Sequence, residues 1–173
     1  MQNSHLTLVM MAGLPGAGKT TLAGALEREI GWRVIDKDKC RVRLLHEGMD
    51  VDRAAYAAYD DSFNEIRMAL LEQRTSVIFD TAALHRFILD AVNEIINCTV
   101  GARLKVILCV LDRDERNQRL LTRAEEHTRI TGDPMTIADY LKYFDHLPDD
   151  KLIVYTNVPI RECITDIKQY VFS

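Results

Sequence analysis

The sequence predicts an α/β fold in which a five-stranded parallel sheet is covered by helices on both faces. First, short apolar runs alternate along the chain with longer segments of helical periodicity. Second, the run from Leu104 to Leu111 is apolar except for Lys105, as in strands that are buried on both faces. Third, a glycine-rich turn joins the first apolar run to the first helical segment. Parallel strands connected by helical crossovers give this arrangement.

Five short apolar runs are predicted to be the strands of this sheet. They are bounded by breaks in the pattern, such as the one at Gly31 and Trp32 before the second run. The fourth run is the most apolar and is expected to lie inside the sheet. The runs are Leu6 to Ala12, Arg33 to Asp36, Ser76 to Asp80, Leu104 to Leu111 and Leu152 to Tyr155.

Seven segments are predicted to be helices from the spacing of their apolar residues and from their capping residues. Asp38 is expected to cap the second helix, and Thr136 with Asp139 forms a capping box at the start of the sixth. The segments are Thr20 to Ile30, Asp38 to about His46, Asp52 to Glu72, about His85 to Asn97, Asp114 to about Glu126, Thr136 to Phe144, and a last helix opened by Asn157 and Pro159.

Two helices carry apolar stripes that we interpret as core. Aromatic residues recur at helical spacing in the third helix, which favours packing against the sheet over a platform for a ligand. The last helix has a similar stripe of aliphatic residues. The stripes are Tyr56, Tyr59, Phe63, Ile66 and Leu70 in the third helix, and Ile160, Ile164, Ile167 and Val171 in the last.

Length and composition fit a single domain over residues 1–173. Hydrophobic residues make up 47% of the chain and charged residues 28%, which are ordinary values for soluble proteins. Apolar runs are too short to cross a membrane and the amino end does not resemble a cleavable signal, so a cytoplasmic location is expected. The four cysteines lack metal-ligand spacing. The net charge of −4 disfavours a protein that coats nucleic acid.

Residues 13–20 carry the pattern of a phosphate-binding P-loop between a strand and a helix. In that setting the loop amides and the helix start point at phosphate oxygens. Lys19 would reach the β- and γ-phosphates of ATP, and the Thr20 hydroxyl would bind Mg²⁺. The predicted fold class is therefore a three-layer P-loop NTPase fold. The predicted nucleotide-binding residues of this segment are Gly13, Leu14, Pro15, Gly16, Ala17, Gly18, Lys19, Thr20 and Thr21.

The surroundings of the third strand favour phosphoryl transfer over hydrolysis. Asp80 ends this strand, but Thr81 follows it where ATP-hydrolysing motors commonly place a glutamate that activates water. The sequence also lacks the Asn-Lys-x-Asp motif with which GTP-dependent switches read guanine. We therefore expect a hydroxyl group as the acceptor, with water as the second possibility.

Acidic residues follow two neighbouring strands where an acceptor would approach the γ-phosphate. Asp36 and Asp38 lie at the end of the second strand and Asp80 at the end of the third. Asp38 and Arg41 are three residues apart and share a helix face, so one can accept a proton while the other holds a polar or anionic group. Which of the three carboxylates is the base stays open at this point.

Three segments resemble the P-loop kinases that are grouped with polynucleotide 5′-hydroxyl kinases and zeta toxins. Ile35 to Arg41 is similar to their Ile-Ser-x-Asp-x-x-Arg element and Val77 to Thr81 to their third-strand element. Arg119 to Arg123 is similar to the Arg-x-x-x-Arg entry of their lid, and Arg116 lies one turn earlier. The resemblance covers nearly the whole chain. It implies an AAA-type ATP-binding domain like that of small-molecule kinases, with an acceptor region at about 36–60 and a short helical lid at about 116–136.

The resemblance also implies roles for the matching residues. Asp38 would be the general base and Arg41 a contact to the acceptor, while Asp80 would bind the acceptor or a water on Mg²⁺. Arg123 would approach the phosphates from the lid and Arg119 the nucleotide base. Apart from the resemblance, His85 and Arg86 could read the acceptor because they lie at the start of the next helix. The implied catalytic residues are Lys19, Asp38 and Arg123; the acceptor residues are Asp36, Asp38, Arg41, Asp80 and Arg86; the metal residues are Thr20 and Asp80.

Two departures from the pattern bear on the acceptor. Ala82 stands where polynucleotide kinases often have asparagine, and Asp36 replaces a small residue and adds negative charge where a phosphorylated acceptor would enter. Together with the acidic net charge they favour a small alcohol, sugar or nucleotide-like acceptor over a nucleic acid. The sequence therefore predicts an ATP-dependent kinase. Its alternatives are a polynucleotide 5′-hydroxyl kinase, a nucleotide hydrolase and a noncatalytic ATP-binding module.

Overall fold

The computed structural model describes residues 5–122, 134 and 136–173. The described residues form strands β1 (Leu6–Ala12), β2 (Arg33–Asp36), β3 (Val77–Asp80), β4 (Ala102–Val110) and β5 (Leu152–Tyr155). These strands make one sheet of order β2-β3-β1-β4-β5, and every neighbouring pair is parallel. The predicted fold class and the five predicted strands are confirmed.

Helices connect the strands and cover the sheet. They are α1 (Lys19–Ile30), α2 (Lys37–His46), α3 (Val51–Arg67), α4 (Arg86–Cys98), α5 (Arg113–Leu121), α6 (Ile137–Lys142) and α7 (Ile160–Phe172). Helix α3 continues into a π-helical turn over Met68–Glu72 in place of the predicted last α-helical turn, and the Gln73 amide there donates to the Met68 carbonyl. Of the helices in the described part of the chain, none is long and apolar enough to cross a membrane.

The sheet is buried on both faces because side chains alternate along each strand. In β1, Val9 and Met11 belong to the core under α1 and α7, whereas Leu8 and Met10 belong to the core on the opposite face. That second core includes side chains from α3, α4 and α6. Both layers therefore hold the carboxyl ends of β1 and β3 in place, and the candidate site is built on those ends.

Helices α2 and α3 form a pair beside the sheet that rests on a small core of its own. Cys40 and Leu44 from α2 pack against Ala54 and Ala58 from α3. Burial raises the pKa of the Cys40 thiol, so this group is a neutral part of the packing. The helix pair forms the second wall of the site.

Two members of the predicted apolar stripes are exposed. Tyr56 is 73% exposed, because the first half of α3 packs on α2 through alanines while its second half, from Phe63 onward, packs on the sheet. Ile160 is 48% exposed at the start of α7, and Cys163 takes the buried position one turn later. The interpretation of both residues as core was wrong.

Candidate functional site

The P-loop connects β1 to α1 and is anchored at its start by a buried tyrosine. The Tyr140 hydroxyl accepts a hydrogen bond from the Leu14 amide and donates one to the Cys109 carbonyl, both at 2.7 Å. Tyr140 is 1% exposed and comes from α6, far away in the sequence. The Gly13 amide also donates to the Ala82 carbonyl after β3. The loop is therefore tied to both strands that flank β1.

At two positions of the loop, the surrounding backbone leaves no room for a side chain, so glycine is required. Gly13 has φ 138°, and a Cβ there would lie 2.5 Å from the Cys109 carbonyl oxygen. Gly16 has φ 82°, and a Cβ there would lie 2.9 Å from the Arg116 carbonyl oxygen. Both positive φ values and both backbone contacts disfavour any side chain. The glycine pattern read in the sequence thus has a steric cause in the fold.

A threonine and an arginine support the other side of the loop. The Thr156 hydroxyl donates to the Ala17 carbonyl at 2.9 Å. The Arg119 guanidinium donates to the Thr156 carbonyl at 2.8 Å and lies 3.3 Å from the Cβ position of Gly18. The structure thus places Arg119 next to the loop, and its role toward the nucleotide base stays a prediction. Thr156 was not identified in the sequence, although its position directly after β5 is where ligands bind in such sheets.

Lys19, Thr20 and Asp80 meet where the loop enters α1. The Lys19 ammonium donates to the Leu14 carbonyl at 3.2 Å. Asp80 is 4% exposed, and its carboxylate accepts a hydrogen bond from the Thr20 hydroxyl. Burial raises the pKa of Asp80, whereas the Thr20 hydrogen bond and the Lys19 charge oppose that rise.

The contact between Thr20 and Asp80 fits a magnesium ion. Mg²⁺ prefers oxygen ligands and is bound in such sites by one or two protein groups together with substrate phosphates. Within the described residues, groups of three or more histidine, cysteine or acidic side chains that could form a protein-only metal cage are absent. A hydroxyl and one buried carboxylate beside a phosphate loop are the donor set that phosphate-assisted binding needs.

The two acidic residues after β2 have different environments. Asp36 caps α2: its carboxylate accepts from the amides of Asp38 at 3.0 Å and Lys39 at 3.2 Å. The prediction of Asp38 as the cap was wrong by two residues, because the extended backbone of Asp36 lets its short side chain reach both amides. The Asp38 side chain is 80% exposed and contacts the Lys37 ammonium. Its carboxylate is therefore directed to solvent and not to the helix.

One open cleft of about 2370 Å³ joins the P-loop to the predicted acceptor residues. Lys19, Thr20 and Thr21 line it on the α1 side. Leu14 and Ala17 are buried in the loop and do not line it. The predicted acceptor residues in its wall are Asp36, Asp38, Arg41, Asp80, His85 and Arg86. The structure thus brings together residues that are separated by up to about 70 positions in the sequence.

The lid prediction divides into a described and an undescribed part. Arg123 lies outside the described residues, as do 124–133 and 135. Arg116, expected among the lid arginines, is 2% exposed: its Nε donates to the Leu111 carbonyl at 3.2 Å and its guanidinium lies 5.4 Å from the Tyr140 ring centre. The expectation that Arg116 belongs with the lid arginines was wrong, because this side chain packs behind the loop.

Solved kinases share this fold. A candidate kinase from Chloroflexus aurantiacus J-10-fl superposes with a TM-score of 0.74 at 18% identity over 97% of each chain. A sugar kinase from Janibacter sp. HTCC2649 gives 0.65 at 19% identity over 97% of this chain and 95% of that one. The Mycobacterium tuberculosis APS kinase in complex with AMPPNP and APS gives 0.65 at 18% identity over 98% and 99%. These likenesses show a common fold.

Sequence comparison places the chain in a family. Comparison with curated proteins gives no match. A family model described as an AAA domain matches residues 8–147, which is more than half of the chain and includes both the P-loop and the carboxyl ends of β2 and β3. The chain therefore belongs to this AAA domain family.

Proposed function

We propose that the protein is an ATP-dependent kinase that transfers the γ-phosphate to a hydroxyl group of a small acceptor, and that residues 1–173 act as one kinase domain. The observation that carries the proposal is the shared cleft, because it contains Lys19 and Thr20 of the P-loop on one side and the exposed Asp38 carboxylate on the other. Folds shared with a sugar kinase and an APS kinase support the same reaction class.

The donor side would hold the nucleotide through the loop. Its amides and Lys19 would bind the β- and γ-phosphates, and Arg119 would lie nearer the nucleotide base. Thr20 and Asp80 would hold Mg²⁺, which when bound supplies positive charge to the β- and γ-phosphate oxygens. Arg123, which matches the lid arginine of related kinases, would stabilise the charge that spreads over the transferred group.

The contacts of the three acidic residues favour Asp38 as the general base. Asp36 is engaged by two backbone amides of α2, and Asp80 is buried against Thr20. The Asp38 carboxylate lines the cleft and makes no such bond to the backbone of the described residues, and it contacts the Lys37 ammonium. A base must reach the proton that it removes, so accessibility is the first requirement.

The reaction would then proceed as an in-line transfer. The acceptor oxygen forms a bond to the γ-phosphorus while the bond from that phosphorus to the bridging β-oxygen breaks, and ADP is the leaving group. Asp38 takes the proton of the acceptor hydroxyl. Arg41 and Arg86, which line the same cleft, would hold polar or anionic parts of the acceptor.

A transfer assay with γ-labelled ATP tests the proposal. The acceptors are nucleosides, sugars, antibiotics and 5′-hydroxyl oligonucleotides, with water alone as the control. Label on a small organic acceptor is the expected result. Label on oligonucleotides would make the protein a polynucleotide 5′-hydroxyl kinase, and label only in free phosphate would make it a hydrolase. Tight ATP binding without any turnover would identify a noncatalytic module.

A further inference from the structure

A second cavity lies between α3 and α4 at the edge of the main cleft. Its volume is about 530 Å³, which falls in the range of sites that bind small molecules. We call it the aromatic cavity because four of its lining side chains are aromatic. They are Tyr56, Tyr59, Phe63 and Phe87, and the other lining residues are Asp60, Asn64, Arg67 and Ala91.

Two rings of the aromatic cavity pack on Tyr59. The Phe87 ring lies edge-on at 5.3 Å between centres, and the Phe63 ring is stacked at 6.1 Å. The His85 ring stacks on the Phe87 ring with 5.9 Å between centres. Tyr56 remains 73% exposed and Phe87 44% exposed. Single exposed apolar residues are common in proteins, but exposed rings that gather at one cavity are typical of a binding surface.

The aromatic cavity is continuous with the acceptor side of the cleft. Tyr56, Tyr59 and Phe87 line both spaces. The Lys37 ammonium lies 5.4 Å from the centre of the Tyr59 ring and contacts the Asp38 carboxylate. One lysine thus contacts both the wall of the cavity and the proposed base. A molecule in the aromatic cavity can therefore extend into the cleft that Asp38 lines.

We propose that the aromatic cavity binds a planar ring of the acceptor, so that the acceptor class is hydroxyl compounds that carry an aromatic or heteroaromatic ring. This inference rests on the proposed kinase function. The ring packs against the exposed Tyr56 and Phe87 side chains, while Asp60 and Asn64, which line the same cavity, offer hydrogen-bond partners to ring heteroatoms. A sugar that carries no aromatic ring would leave this aromatic surface in contact with water.

Matched acceptor pairs isolate the contribution of the ring. Phenyl β-glucoside is compared with methyl β-glucoside, and uridine with methyl riboside, since each pair differs mainly in the planar group. Binding is measured without ATP by ligand-observed NMR titration, and transfer is measured separately with labelled ATP. We expect the ring-bearing member of at least one pair to bind about tenfold or more tightly, as one stacking contact implies. Preference in the uridine pair indicates a nucleobase, and preference in the phenyl pair a simple aryl group.

Variants of the cavity show whether its rings cause the preference. Tyr56→Leu and Phe87→Leu should each remove most of it. Phe172→Leu is the matched control, because the Phe172 ring is also 57% exposed but packs on Trp32 outside the cleft. Equal binding within both pairs, including no binding by any member, overturns the inference. A preference that survives Tyr56→Leu and Phe87→Leu also overturns it.

The two proposals fail in different ways. If ring-bearing compounds bind but label appears only in free phosphate, the kinase function is wrong while the ring site is retained. If label is transferred with equal kcat/KM to both members of each pair, the kinase function is supported and the ring inference is wrong.

Discussion

The two walls of the cleft are built in opposite ways. On the P-loop wall, Leu14 is completely buried, and Tyr140, at 1% exposure, ties the loop to β4. On the other wall, the α2–α3 pair rests on a small core of four residues, and Tyr56 stands 73% exposed. The first wall is held by buried hydrogen bonds to the backbone of the loop. The second wall presents side chains to the open cleft.

This difference matches what the two partners of a transfer reaction require. The triphosphate group of the donor does not change from one acceptor to another, so its site can be fixed by glycine geometry and buried hydrogen bonds. Acceptors differ, and an open wall of side chains can change without disturbing the sheet. Substitutions in the P-loop wall should therefore cost more folding stability than comparable substitutions in the α2–α3 wall.

Within the P-loop wall, the largest effect is expected from the charge of Lys19. Lys19→Ala should reduce phosphoryl transfer by about a thousandfold, because it removes a cation aimed at developing phosphate charge. Lys168→Ala is the control, since this lysine pairs with Glu29 at the surface, 3.2 Å away. Initial rates with labelled ATP measure both variants. Full activity in Lys19→Ala would contradict the assignment of the P-loop.

Glycine substitutions test the steric contrast. Gly13→Ala should lower the free energy of unfolding by about 3 kcal/mol, because alanine is strained at this positive φ and its Cβ would clash with the Cys109 carbonyl oxygen. Gly48 also has a positive φ, 89°, but in the described part of the chain nothing lies within 4 Å of its Cβ position. Gly48→Ala should therefore lose only about 1 kcal/mol. Urea unfolding compares the two, and similar losses would show that the loop is not tightly enclosed.

Much of the P-loop wall could be predicted from the sequence because its elements are local. The glycine pattern, the apolar run before it and the helical spacing after it are adjacent in the chain, and the structure shows each of them. Tyr140 could not be predicted as a support of the loop. It is 126 positions from Leu14, and nothing in its own segment beyond a helix-capping pattern identifies it.

Loss of the Tyr140 hydroxyl should lower stability less than Gly13→Ala does. Tyr140→Phe keeps the ring but leaves the buried Leu14 amide without this acceptor, which should lower the free energy of unfolding by about 2 kcal/mol. ATP affinity should fall with it, because the start of the loop is released. Tyr155→Phe, at a 49% exposed tyrosine, is the control for both unfolding and ATP binding. An unchanged stability of Tyr140→Phe would mean that the hydroxyl does not anchor the loop.

The smallest effect is expected at Asp80 and depends on pH. Because burial raises the pKa of Asp80 in the folded state, the folded protein binds more protons than the unfolded chain between the ordinary pKa of 3.8 and the raised value. Stability therefore falls as pH rises through that window. Asp80→Asn should be more stable than the wild type at pH 7, and the gain should shrink as the pH falls toward 3.8.

Thermal unfolding at several pH values measures this difference. Mg·ATP should stabilise the wild type more than Asp80→Asn, since the variant lacks the carboxylate proposed to hold the metal. A variant that is less stable than the wild type at pH 7 would show that the carboxylate is not an unfavourable buried charge.

Less of the α2–α3 wall could be predicted from the sequence. Asp38 and Asp80 could be identified because they follow strands, but the sequence did not show that Asp36 caps α2 and leaves Asp38 exposed. Helical spacing predicted that Tyr56 lies in the core, whereas the packing of α3 on α2 leaves its side chain at the cleft. Periodicity identifies a stripe, and tertiary packing decides which part of it is covered.

The central claim is tested most directly by comparing two neighbouring carboxylates. Asparagine caps a helix nearly as well as aspartate, so Asp36→Asn removes one charge and keeps the cap of α2. With the best acceptor from the labelled-ATP assay, Asp38→Asn should lower kcat by about two to four orders of magnitude while ATP affinity is unchanged. Asp36→Asn should lose far less. Full turnover in Asp38→Asn, or a larger loss in Asp36→Asn, would contradict Asp38 as the base of a phosphoryl transfer in this cleft.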